Sequence, residues 1–210
     1  PLPLDPDEPT HVAESIALMK LSHAVITSVD RDDLPDLGAA HWAQTIREIK
    51  RLNPETTTEV LIPDFQGRKE LVDQVIKACP EIISHNMETV KRISPQVRSA
   101  ANYHTSLEVI RQIAESGITA KSGIMVGLGE TPAEVEELMD DLISVGCKIL
   151  TIGQYLQPTH KHFPVAAYIT PEQFAVYKET GLKKGFEQME SAPLVRSSYH
   201  AEKHIRFNNK

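Results

Sequence analysis

Two apolar periods alternate along this chain. HVAESIALMKL (11–21) places apolar residues at 12, 13, 16, 17, 18 and 21, one face of a helix. HAVITS (23–28) is a short β-branched run that predicts a strand, followed by the polar loop VDRDDLPDLG. Helical spacing returns in AAHWAQTIREIKRL (39–52) and stops at Asn53-Pro54. TTTEVLIP (56–63) predicts a second strand, RKELVDQVIKA (68–78) a helix, and EIISHN (81–86) a third, short strand. METVKRIS (87–94) adds a helical turn or two, and TSLEVIRQIAES (105–116) is a helix closed by Gly117.

The fourth strand, ITAKSGIMVG (118–127), runs into a glycine turn at Gly127, Gly129 and Glu130. A helix (132–146) opens behind it with a capping box, Thr131 at N-cap, Pro132 at N1 and Glu134 at N3. CKILTIGQY (147–155) predicts a fifth strand and LQPTHKHFP (156–164) a loop. Thr170, Pro171 and Gln173 repeat the cap logic for a helix reaching about Lys184. A last strand is expected at 194–197, before a charged tail (202–210). Residues 1–10, rich in Pro and acid, predict an extended lead-in.

Strands alternating with helices give an α/β fold with a parallel sheet, either doubly wound or curled into a barrel. The polar residues cluster just after each strand, at 27–33, 64–68, 84–88, 127–130, 154–162 and 196–200. In a β/α barrel that edge binds ligands. Length changes the picture little: 210 residues fill one well-cored domain, expected over 1–201. Net charge −7 and a pI near 5.7 argue against a nucleic-acid surface, which needs clustered Lys and Arg. Apolar runs are strand-sized, so no membrane partner is expected. Residues 1–10 show no secretory signal. Cys79 and Cys147 have no metal-ligand spacing, and both read as buried thiols in a reducing, cytoplasmic setting. The first residue, Pro rather than Met, reads as a processed or trimmed chain.

Several groups carry candidate chemistry. Asp30 to Asp33 either greet a cation or form a solvated acidic loop. Asn86 and Glu88, an amide and a carboxylate two residues apart, either clasp vicinal hydroxyls or cap a turn. His85, His160, His162 and His200 lack the spacing of two ligands on one helix face and read as ordinary packing or surface residues. There is no G-x-S-x-G elbow, phosphate loop or G-x-G-x-x-G. Arg196, Ser197, Ser198 and Tyr199 follow the apolar step PLV, where a simple strand terminus is the plainer reading.

The wording of VITSVDRDDLPD (25–36), PDFQG (63–67), SHNMETV (84–90), KSGIMVGLGET (121–131), LTIGQYLQPT (150–159) and PLVRSSYHA (193–201) closely resembles the lipoyl synthase family of radical S-adenosylmethionine (SAM) enzymes. The resemblance spans about 1–201 in order. It implies a partial (β/α)6 barrel lacking its first strand. The implied reaction inserts two sulfur atoms at C6 and C8 of an octanoyl chain amide-linked to a lysine of a lipoyl carrier domain. The implied partners are 2-oxoacid dehydrogenase acyltransferase subunits, the glycine cleavage H protein and an electron donor. SAM and two 4Fe-4S clusters are the implied cofactors, one cluster reducing SAM and the auxiliary one donating sulfur.

On that resemblance Ser197 matches a serine ligand of the auxiliary cluster, with Arg196 and Tyr199 positioning it. Asn86 and Glu88 resemble the ribose contacts of SAM, and Gly123, Met125, Gly127 and Glu130 resemble the element against adenine. Thr27 to Asp30 sit where the methionyl amine is met, and Lys121, Gln154 and Tyr155 would line the mouth. The family's C-x3-C-x2-C and C-x4-C-x5-C triplets are absent here. The chain therefore resembles the C-terminal part of such an enzyme, lacking its N-terminal cluster-binding cysteines. The alternatives are a non-catalytic remnant that binds SAM or carrier domains, and an unrelated β/α-barrel lyase with Lys121 as Schiff-base lysine.

Overall fold

The computed structural model describes residues 2–98 and 102–203, so most of the expected tail, 204–210, lies outside the described residues. Six strands form one parallel sheet: β1 (His23–Thr27), β2 (Thr57–Leu61), β3 (Ile82–Ser84), β4 (Thr119–Val126), β5 (Ile149–Gln154) and β6 (Gln188–Ser191). Each strand pairs only with its neighbours in chain order. That order decides against a doubly wound sheet, whose strand sequence reverses at a switch point. The turn Ala201–Lys203, which follows β6, packs against β1 at the opposite end. The sheet must curl to bring them together.

Among the described residues α1 (Glu8–Met19) precedes the sheet and six helices lie between strands: α2 (Ala39–Leu52), α3 (Lys69–Ile76), α4 (Ser94–Val97), α5 (Tyr103–Glu115), α6 (Pro132–Ser144) and α7 (Pro171–Lys184). The apolar faces of α2 to α7 merge with Val60, Ile83, Ala120, Leu150 and Ile152 into one core. A smaller cluster of Ala13, Ile16, Ala24 and Ile49 seats α1. Complete burial of side chains such as Ile46, Val75 and Ile110 contributes about 2 kcal/mol each, which ties the helices to the sheet.

The local signals explain most boundaries. Thr131 Oγ1 accepts from the Glu134 N–H at 3.3 Å, and Glu134 Oε2 accepts from the Thr131 N–H at 2.8 Å, so the capping box closes in both directions. Thr170 Oγ1 accepts from the Gln173 N–H in the same manner.

Four expectations need correction. Helix α1 begins at Glu8, inside the Pro-rich lead-in, because Pro9 sits in the first turn where its missing N–H is not needed. The segment after β3 does not continue as helix: Glu88 forms a parallel bridge with Ile124, and α4 starts only at Ser94. The last strand is Gln188–Ser191, whereas 194–197 is a turn in which the Val195 N–H donates to Ala192 O. Pro193 cannot donate to a sheet ladder, so the apolar step PLV marks the end of pairing. Cys147 is buried, but Cys79 is exposed at a positive φ of 58°.

Candidate functional site

Strand C-termini converge on two adjoining hollows. A cleft of about 520 Å³ is lined by Thr27 at the end of β1 and Asp30 beyond it, Asp64 beyond β2, His85, Asn86 and Glu88 beyond β3, and Arg98. A smaller hollow of about 130 Å³ is lined by Gly123 and Met125 of β4, Thr151 and Gly153 of β5, and Val195 to Ser197. Asn86 and Glu88 line both. A third, mainly apolar hollow between α1, α2 and β1 meets the cleft only at Thr27 and Ser28.

The chain reaches Glu88 by running alongside β4. The Glu88 N–H donates to Gly123 O at 3.1 Å, and the Met125 N–H donates to Glu88 O at 2.8 Å. These bonds hold Glu88 at φ 64°, a left-handed backbone that a glutamate adopts only under such constraint. Asn86 Nδ2 donates to Glu88 Oε1 at 3.1 Å, while the buried Asn86 Oδ1 has no hydrogen-bond partner among the described residues. An unsatisfied buried carbonyl costs about 1–3 kcal/mol. Gly123 keeps the space beside it open: a Cβ there would come within 2.8 Å of both Asn86 Oδ1 and Thr151 Oγ1. Burial pushes the Glu88 carboxyl above its usual range, opposed by the Asn86 hydrogen bond and the charge of Arg98.

The other wall of the cleft is acidic around one cation. Burial raises the Asp30 pKa, and the neighbouring Asp32 and Asp64 raise it further, while Arg98 lowers it. Burial lowers the Arg98 guanidinium pKa against the pull of Glu88, Asp64 and Asp30. Arg98 is oriented from behind. Its Nη1 donates to Ser106 Oγ at 2.9 Å, and that hydroxyl lies 2.9 Å from His85 Nε2. His85 Nδ1 lies 2.9 Å from Ile62 O. Burial holds the His85 ring neutral, with its pKa lowered to about 4, so Nδ1–H donates to the carbonyl and Nε2 accepts from Ser106.

Other expected site residues serve the backbone. Glu130 accepts the Gly127 N–H at 2.6 Å and the Leu128 N–H at 2.9 Å. Gln154 donates to Tyr155 O and Ala167 O, each at 3.0 Å, and accepts the Ile169 N–H at 2.9 Å. Gly127, at φ 100°, has no room for a side chain, since a Cβ would lie 2.2 Å from Gln154 Nε2 and 2.4 Å from Ala167 O. Tyr155 is buried, its hydroxyl donating to Phe163 O at 2.7 Å. Lys121 is fully buried, its Nζ 2.6 Å from Glu59 Oε1 and 2.6 Å from the Ser197 carbonyl. Such burial leaves no substrate access for Schiff-base chemistry.

Arg196 is exposed, and its Nη1 donates to Val195 O at 2.8 Å. Tyr199 is 42% exposed, its ring edge-on to His200, so neither it nor Tyr155 lines these hollows. In the acidic loop Arg31 pairs with Asp33 through two 2.8 Å bonds, leaving Asp30 and Asp32 to the cleft.

Sequence reasoning missed Arg98, Thr151 and the Ser106 relay. Arg98 belongs to a loop far beyond β3, and its type alone gave no signal. Thr151 could have been found as the single hydroxyl in ILTIGQ, facing Gly123 across the β4–β5 ladder.

Residues 1–142 match the Radical SAM superfamily. Over all 210 residues the chain is 99% identical to the lipoyl synthase of Bacteroides fragilis (strain YCH46), covering 73% of that protein. It is 57% identical over 206 residues to the mitochondrial lipoyl synthase of Nematostella vectensis, covering 98% of this chain and 71% of that protein. The chain belongs to the lipoyl synthase family. Its fold is shared with methylornithine synthase (PylB), at TM-score 0.64 and 9% identity over 93% of this chain and 65% of that one. Streptococcus suis SuiB bound to S-adenosylmethionine superposes at TM-score 0.69 and 9% identity, over 98% of this chain and 47% of that one.

As a radical SAM family, lipoyl synthases imply SAM and 4Fe-4S clusters. The residues present fit SAM: an orphaned amide carbonyl, an adjacent buried carboxyl and a glycine cradle suit vicinal hydroxyls. They do not by themselves fit a cluster. Iron–sulfur clusters are held mainly by thiolates, and of the two thiols Cys79 is exposed while burial pushes Cys147 up to about 12. Among the described residues no three His, Cys, Asp or Glu gather to hold a metal. No described helix is long and apolar enough to cross a membrane.

Proposed function

We propose that this chain carries the SAM-binding and substrate-facing edge of a lipoyl synthase that inserts sulfur at C6 and C8 of a protein-bound octanoyl chain. The observation that carries the reading is the unsatisfied, buried Asn86 Oδ1 beside Glu88 and Gly123. Bound there and given one electron by the donor, SAM would supply the chemistry of hydrogen abstraction from unactivated carbon. Asn86 and Glu88 accept hydrogen bonds from its ribose hydroxyls. Thr27 and Asp30 meet the methionyl ammonium, and Arg98 balances the carboxylates around it. Gly127, Glu130 and Gln154 act on SAM indirectly, by fixing the turn at the end of β4.

Ser197 and Arg196 stand beside the ribose pair, which suits Ser197 as the oxygen ligand of an auxiliary 4Fe-4S cluster, the second of two. Neither Cys79, which is exposed, nor Cys147, which is buried, supplies a thiolate ligand for either cluster in this reading. Octanoylated carrier domains of 2-oxoacid dehydrogenases or the glycine cleavage system, an electron donor and a cytoplasmic setting complete the reading.

Calorimetric titration of SAM into the 210-residue chain tests it. Asn86→Ala should weaken binding about tenfold or more, the scale of one or two lost hydrogen bonds. An Asn86→Ala chain that is folded and binds SAM as the parent does overturns the assignment.

A further inference from the structure

We infer that the buried Lys121–Glu59 pair is a lock for the turn after β6, holding Ser197 at the hollow through its backbone carbonyl. Glu59 lies on β2 and Lys121 on β4, strands separated by β3. Side chains alternate along a strand, so Lys121 shares a face with Gly123 and Met125, both of which line the hollow. Both charged side chains are fully shielded from water, and the ammonium sits 2.6 Å from Glu59 Oε1 and from Ser197 O. Burial lowers the Lys121 pKa, and the Glu59 carboxylate opposes that.

The turn is otherwise anchored mainly at its ends. Val195 and Ala201 are buried and Ala201–Lys203 packs against β1, but Leu194, Arg196, Ser198 and Tyr199 between them are exposed, and the bonds from Val195 and Tyr199 N–H stay within the turn. Its entry is fixed by the Gln154 N–H to Pro193 O and the Ala192 N–H to Ile152 O, both 3.2 Å and both before Ser197. The ammonium therefore grips the turn at the residue whose side chain faces the hollow. Releasing that carbonyl would remove an oxygen from a desolvated cation, which disfavours intermediate positions of the turn. Lys121 is thus a positioning residue, acting on Ser197 from beneath.

The functional meaning of the lock rests on the reading of Ser197 proposed above, but its existence can be measured alone. Amide hydrogen exchange, resolved by mass spectrometry, compares the parent with Lys121→Met and with the Lys121→Met/Glu59→Leu double variant. The double variant removes both charges of the pair together. Exchange over 195–201 should rise about tenfold or more in the double variant, with β4 and β5 still protected. Unchanged exchange over 195–201, or equal loss of protection across β4 and β5, overturns the lock. A failed Asn86→Ala titration would instead sink the SAM reading and leave this result standing.

Discussion

Two amide–carboxylate pairs stand at the same edge of the sheet and do opposite things. Gln154 and Glu130 direct their polar atoms to backbone groups, so the amide has three partners and the carboxylate two. Asn86 and Glu88 bond chiefly to each other, and the amide oxygen is left buried and unanswered. The chemistry of the side chains is the same. What separates the two pairs is whether the protein itself satisfies them. A pair that meets its own backbone stabilises a turn, whereas a pair held short of satisfaction offers a ligand what water and protein do not.

The contrast can be broken most forcefully at Gly127. Gly127→Ala forces a side chain onto Gln154 and the Ala167 carbonyl at a φ of 100°, and should cost about 3 kcal/mol or more in urea unfolding. Glu130→Ala orphans the buried Gly127 and Leu128 N–H groups and should cost about 2 kcal/mol. Its remaining folded population should lose less SAM affinity than Asn86→Ala does, as calorimetry can check. Equal losses would erase the distinction between the two pairs.

The smallest effect is the pH dependence of Glu88. Its folded pKa is raised by burial, so its contribution to stability is present below the unfolded value of about 4.5 and is lost as pH rises through the folded pKa. SAM affinity should move oppositely, growing as the carboxylate forms. Glu88→Gln should flatten both profiles, read from urea midpoints and titrations across that window.

Much of this was legible in the sequence because it is local. Thr131 and Glu134 announce α6 from three residues apart, and five of the six strands carry β-branched apolar runs. β6 was missed because QMES buries only Met189 fully and alternates it with polar residues, while the more apolar PLV beside it lies in a turn. Asn86 and Glu88 were legible as a pair, since their chemistry depends on a spacing of two. That Oδ1 would be left without a partner was not, because satisfaction depends on Gly123 and Thr151, which arrive from two other strands. The Lys121–Glu59 bond joins residues 62 positions apart. In each strand the charge reads only as an interruption of an apolar run.

The consecutive strand order has a consequence for how the molecule is made. Each new strand finds its partner already at the growing edge, so the sheet can accrete in the direction of synthesis without waiting for an inserted strand. The turn bearing Ser197 follows the sixth strand, so it arrives after Asn86 and Glu88. A chain halted before β6 would carry the Asn86–Glu88 pair without the serine.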